Sequence, residues 1–90
     1  MYIDDFDWDD DNIEHIGDHG IQDYEVGEVI LFDRPIYRRG RDNTYYAYGV
    51  TENGRYLFIV FRVKGSANIR VITARDMAYK EKVYYKERRR

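Results

Sequence analysis

The 90 residues contain no cysteine. That absence excludes a disulfide framework, a thiolate nucleophile, a zinc ribbon and an iron–sulfur site. The lone serine, Ser66, sits in a Gly/Asn-rich loop without the strand–turn–helix elbow a serine nucleophile needs. Neither GxGxxG nor GxxxxGK[ST] is present, so nothing points to a nucleotide cofactor; the expectation is no cofactor and no metal. No apolar run approaches the roughly 18–20 residues of a membrane span. The acidic first residues do not read as a secretory signal. The expectation is a cytoplasmic protein without membrane contact. Length allows one domain over residues 1–90, its basic tail 86–90 frayed.

Lys and Arg are missing from residues 1–33, which carry twelve Asp/Glu. Residues 34–90 carry fifteen Lys/Arg and five Asp/Glu. The formal net charge of −2 therefore hides two segments of opposite sign. Such a division fits a basic surface for a polyanion, or an acidic segment packed against a basic one. Aromatic residues make up 17% of the chain, ten of them tyrosines. Each ring can withdraw about 150–250 Å² from water, which favours a folded core over disorder.

The apolar pattern predicts an α+β fold. Residues 2–6 alternate as a short edge strand. Asp9–Asp11 suit the first turn of a helix over about residues 9–18, with Ile13 and Ile16 on one side and Gly20 as a left-handed stop. Asp23 caps a second helix that Pro35 ends before Arg34. Residues 36–43 form a basic loop with a short strand at 36–39. Period-two segments follow at 44–50, 55–63 and 69–74. Asn53-Gly54 predicts a type I′ hairpin turn, and residues 64–68 a second hairpin loop. The middle strand is apolar on both faces, so it is central and covered on both sides. A last helix is expected over 77–88, with Glu81 turned partly toward the sheet and in need of a cationic partner.

Two groups of residues could carry chemistry. Asp11, His15 and His19 recur every four residues, a spacing compatible with metal ligation or with a histidine compensating the end of helix 1. The basic group is fuller. Arg62 and Arg70 lie on neighbouring strands, followed by Arg75, Lys80 and Glu81. Whether Arg62 and Arg70 share a face depends on a register the sequence leaves open. Guanidinium forks match phosphate, and Tyr45, Tyr46 and Tyr48, with Arg38 and Arg39 nearby, could stack bases and hold the backbone of RNA.

The chain resembles the BrnT family of type II toxin–antitoxin toxins. The resemblance rests on Phe6-Asp7-Trp8-Asp9, Asn12, His15 and His19-Gly20-Ile21. It continues at Gly54-Arg55-Tyr56-Leu57 and at Ile69-Arg70-Val71-Ile72-Thr73-Ala74-Arg75, followed by Met77, Lys80 and Glu81. Asp18 stands where many members have a lysine. The resemblance implies a RelE-like fold, a small antiparallel sheet flanked by two N-terminal helices and one C-terminal helix. It implies a metal-independent endoribonuclease with Arg62, Arg70, Arg75, Lys80 and Glu81 as site residues. It also implies a ribbon-helix-helix antitoxin partner, and leaves room for a homodimer within that complex. The competing reading is a non-catalytic module that binds a protein or RNA through the sheet.

Overall fold

A computed structural model describes residues 1–89. The chain runs β1 (Asp5–Phe6), α1 (Asp10–Gly17), α2 (Asp23–Phe32), β2 (Ile36–Arg39), β3 (Tyr45–Val50), β4 (Tyr56–Lys64), β5 (Asn68–Asp76) and α3 (Tyr79–Arg88). This is the α+β arrangement expected: three long strands, two short ones and flanking helices. The strands form one sheet in the order β1-β5-β4-β3-β2. All neighbours are antiparallel except β1, which pairs parallel to β5, so the sheet is mixed at that edge.

Each sheet face has its own apolar layer. On one, Leu57, Ile59 and Phe61 of β4 meet Ile16 of α1 and Val26 and Val29 of α2. On the other, Tyr48 and Phe58 meet Met77 and Tyr85 at α3. The doubly apolar β4 thus lies at the centre of a three-layer sandwich, as its sequence requires.

The ends of the helices explain their placement. Asp9 caps α1: its carboxylate accepts from the Asn12 N–H, while Asn12 Oδ1 accepts from the Asp9 N–H. The buried Asn12 amide also donates to the carbonyls of Asp7 and Val71, tying α1 to β5. Gly20 takes φ +74°, letting Ile21 donate back to Ile16 and enter the core. Arg55 secures this turn, donating to the Gly20 carbonyl and to Asp76. The helix-2 cap falls on Gln22 rather than Asp23, because the Glu25 side chain reaches back to the Gln22 N–H.

Gly49 permits the close approach of α2 to β3. A Cβ there would lie 2.6 Å from Val29 Cγ1 and 2.9 Å from Asp33 Oδ2. Asp33 uses that proximity to accept from the Val50 N–H and the Tyr85 hydroxyl. Arg89 donates to the carbonyls of Asp33 and Arg34. The basic end expected to fray is therefore helical through Arg88 and tethered at Arg89; Arg90 lies outside the described residues.

Turn chemistry differs from expectation at one place. Asn53-Gly54 is not a type I′ pair, since only Gly54 has positive φ; Gly54 donates to the Thr51 carbonyl and the loop spans five residues. The two consecutive left-handed residues are Asp42 and Asn43, at φ 54° and 62°, in the β2–β3 hairpin. Asx side chains tolerate that region better than other non-glycine residues.

Candidate functional site

On the sheet face that carries α3, a cleft of about 730 Å³ opens between the start of the helix, the cleft-facing side of β4 and β5, and the β2–β3 hairpin. Its cations are Arg38, Arg41, Arg62, Arg75 and Lys80; its carboxylates are Asp42 and Glu81. Tyr46, Tyr48, Phe58 and Tyr84 supply the aromatic part of its walls. Among the described residues, Arg38, Arg41, Arg62 and Lys80 have no carboxylate within ion-pair distance. The surplus of positive charge is therefore available to an anion.

A β-bulge sets the position of Arg75. The register runs Val60↔Thr73 and then Phe61↔Val71, which leaves Ile72 as an extra residue in β5. Simple alternation from Ile69 and Val71 would carry residue 75 to the buried helix-side layer. The bulge resets the alternation, so Ala74 enters that layer and Arg75 enters the cleft beside Ile72. The extra residue thus puts Ala74 on the face opposite Arg70 and Ile72, which strict alternation from Arg70 would have kept together.

Once in the cleft, Arg75 is held tightly. Its guanidinium lies 4.5 Å from the Phe58 ring centroid and donates to both oxygens of Glu81, at 2.7 and 2.8 Å. Glu81 Oε1 also accepts from the Ala78 N–H at 2.7 Å, capping α3. Burial pushes the Glu81 carboxyl up, but the Arg75 and Ala78 hydrogen bonds outweigh it and hold the group below the ordinary glutamate range. The partner required by an inward-facing Glu81 is thus Arg75. Arg62 Nη2 donates to the Asp42 carbonyl at 3.2 Å, so the left-handed turn steadies the other strand arginine.

Not every expected residue joins this group. Arg62 and Arg70 are direct cross-strand partners, which answers the question of register. Their side chains nevertheless part: Arg70 reaches to the β1 edge, where it pairs with Asp7 and Asp9, and Lys64 joins Asp7. The Arg70 guanidinium does not line the cleft. Those cations hold the Asp7 and Asp9 carboxyls below their ordinary values through hydrogen bonds from Lys64 and Arg70 respectively.

Tyr45 and Arg39 lie on the opposite sheet face, Tyr45 stacked on Phe61 at 5.8 Å and Arg39 5.3 Å from the Tyr45 centroid. Tyr48 lines the cleft but is buried among Phe58 and Tyr84, so its ring is not open for stacking. Arg38 and Tyr46 are in place, with Arg38 5.3 Å from the Tyr84 ring. Arg41, Asp42 and Tyr84 complete the walls; the sequence marks the first two only as members of the basic loop.

The histidines belong elsewhere. α1 covers the helix-side layer, where His15 Nε2 lies 3.1 Å from Thr73 Oγ1 and the two imidazole centroids are 5.6 Å apart. Neither ring lines the cleft. Among the described residues, no three His, Asp or Glu side chains gather into a set that could hold a metal ion.

Fold and site together define a small α+β protein with a cationic, tyrosine-walled cleft on one sheet face. The chain matches the family described as the ribonuclease toxin, BrnT, of type II toxin–antitoxin systems over residues 8–81, and it belongs to that family. No curated protein sequence matches it. The matched span starts at Trp8 and closes at Glu81, taking in the cleft arginines of β2, β4 and β5. Membership brings with it an RNA substrate and an antitoxin partner as properties of the family. None of the helices among the described residues is long and apolar enough to cross a membrane.

Proposed function

We propose that this chain is a metal-independent endoribonuclease toxin that cuts RNA in the α3-side cleft. The observation that carries the reading is that Arg38, Arg62, Lys80 and the paired Arg75 and Glu81 line one cleft. In this mechanism the substrate's 2′-oxygen attacks the adjacent phosphorus, and the bond from phosphorus to the 5′-oxygen breaks. The products are a 2′,3′-cyclic phosphate and a 5′-hydroxyl. Negative charge that builds on the phosphorane is met by Arg62 and Arg38, which have no carboxylate partner to leave. Arg75 acts by fixing Glu81.

Glu81 accepts the proton of the 2′-hydroxyl. Its depressed pKa keeps it ionised at neutral pH but makes it a weak base, so the guanidiniums carry the larger share of the rate. The Lys80 ammonium offsets charge on the leaving 5′-oxygen, which takes its proton from solvent. Tyr46 and Tyr84 offer ring edges to the neighbouring bases. Arg70 has a different task, joining the β1–α1 segment to β5. In the cell the toxin is cytoplasmic and is held inactive by a ribbon-helix-helix antitoxin.

Purified protein incubated with RNA tests this reading. Fragments ending in a 2′,3′-cyclic phosphate, formed equally with EDTA present, are expected. Fragments with a 3′-hydroxyl, or activity abolished by EDTA, refute the mechanism. RNA that binds but stays intact favours the non-catalytic module.

A further inference from the structure

α2 is apolar on two sides. Val26, Val29 and Ile30 form the inner side and are buried. Tyr24, Glu28, Leu31 and Phe32 follow at i, i+4, i+7 and i+8, which places them in one outward stripe. Tyr24 is 60% exposed, Leu31 44% and Phe32 80%. Three large apolar side chains exposed on one side of a helix form a patch without cover. Beside Phe32 a groove of about 380 Å³ runs between the end of α2 and the β3–β4 hairpin, floored by Val50 and Thr51.

Charge around the groove selects the kind of cover. Glu28 and Glu52 flank the groove, and Asp23 opens the same helix. Among the described residues, none of these three carboxylates has a cation within ion-pair distance. A second copy packed helix to helix would bring the same carboxylates against one another. An anionic membrane surface would meet the same repulsion. A cationic segment would meet neither.

We infer that the outer face of α2 is a docking surface for a cationic amphipathic peptide segment of another protein, an apolar side chain seated beside Phe32 and Lys or Arg side chains against Glu28 and Glu52. α2 packs on the sheet face opposite the cleft, and its groove shares no lining residue with the cleft, so the surface functions whether or not the cleft cuts RNA. Binding here leaves the cleft open and links the toxin to a partner without occupying its RNA site.

The probe is a synthetic amphipathic helical peptide of Leu, Trp and Lys, titrated into the full-length isotope-labelled protein. Backbone amide shifts are expected to cluster at residues 24–32 and 50–52, with saturation. Phe32→Ala should weaken binding about tenfold, as loss of an aromatic anchor does. Glu28→Gln with Glu52→Gln should weaken it and remove its salt dependence. Both variants alter exposed or groove-edge side chains, and unchanged melting temperatures confirm folding. Arg38→Ala with Arg62→Ala, on the far face, should leave affinity unchanged. The same peptide with Glu in place of Lys should not bind. Shifts centred elsewhere, or equal affinity for Phe32→Ala, overturn the inference. So does a concentration-dependent dimer that Phe32→Ala dissolves, or binding of the free protein to phosphatidylserine vesicles through this face.

Discussion

Replacing Glu81 by Gln removes the charge that joins α3 to β5 while keeping the shape of the side chain. In the native protein Glu81 accepts two hydrogen bonds from Arg75 and one from the Ala78 N–H. Gln keeps one acceptor oxygen, which can still take the Ala78 N–H and one Arg75 N–H, but its NH2 cannot accept the other Arg75 N–H, and Arg75 loses its counter-charge. Hydrogen bonds to a charged partner contribute about 1.5–3 kcal/mol net. The lower part of that range applies, because the Arg75 side chain is 40% exposed and water screens it, although Glu81 is only 19% exposed.

The expected loss is therefore about 1.5–2 kcal/mol at pH 7, or a melting temperature about 6–16 °C lower. Its pH dependence has a fixed sign. The folded pKa of Glu81 lies below the ordinary glutamate value of 4.5, so the stabilisation is fully present well above that pH. It disappears as the pH falls through the folded value. Urea unfolding of wild type and Glu81→Gln at pH 7 and pH 3 should show the difference shrinking with acid. Asp7, Asp9 and Asp76, also held low by cations, lose their contributions in both proteins and cancel. Equal stability at pH 7, or a gap that persists at pH 3, would falsify the assignment of Glu81 as an ionised, paired carboxylate.

The two cross-strand arginines should separate cleanly. Arg62→Ala is expected to slow RNA cleavage by about 10²–10³ with little change in unfolding midpoint; single-turnover assays decide. Arg70→Ala should leave cleavage within a few-fold but raise amide exchange along residues 5–12, as the tie to Asp7 and Asp9 is lost. Gly49→Ala should cost about 1–3 kcal/mol in urea unfolding, since its Cβ would press on Val29 and Asp33; wild-type stability would show that α2 yields more freely than the packing suggests. Asn43→Val forces a β-branched residue to φ 62° and should lower cleavage through the Asp42–Arg62 contact, whereas Asn43→Gly should preserve it. Equal activity of the two Asn43 variants would detach the turn from the site.

Much of this protein is determined by local chemistry. The Asp9–Asn12 capping box, the left-handed stop at Gly20 and the break imposed by Pro35 bound the first two helices near their observed limits. Period-two alternation in residues 55–63 places Leu57, Ile59 and Phe61 on one face and Phe58 and Val60 on the other, because successive residues of a strand without an inserted residue point to opposite faces. The charge division also survives folding in part. The acidic helices and the cationic cleft lie on opposite faces of the sheet.

Other features depend on distance in space rather than spacing in sequence. Alternation continued through β5 would have buried Arg75; one extra residue at Ile72 turns it into the cleft, and only pairing with β4 reveals that residue as extra. Arg62 and Arg70 share a register and a face, yet partners on opposite sides, the Asp42 carbonyl and the Asp7–Asp9 pair, draw their guanidiniums apart. Tyr45 and Tyr46 are adjacent in the chain and end on different faces. Sequence alone determined the helices, the strands and the stock of cations, because caps, turns and alternation act over a few residues. The tertiary structure decided which cations face one another, because that follows from strand register and from the carboxylates that happen to lie within reach.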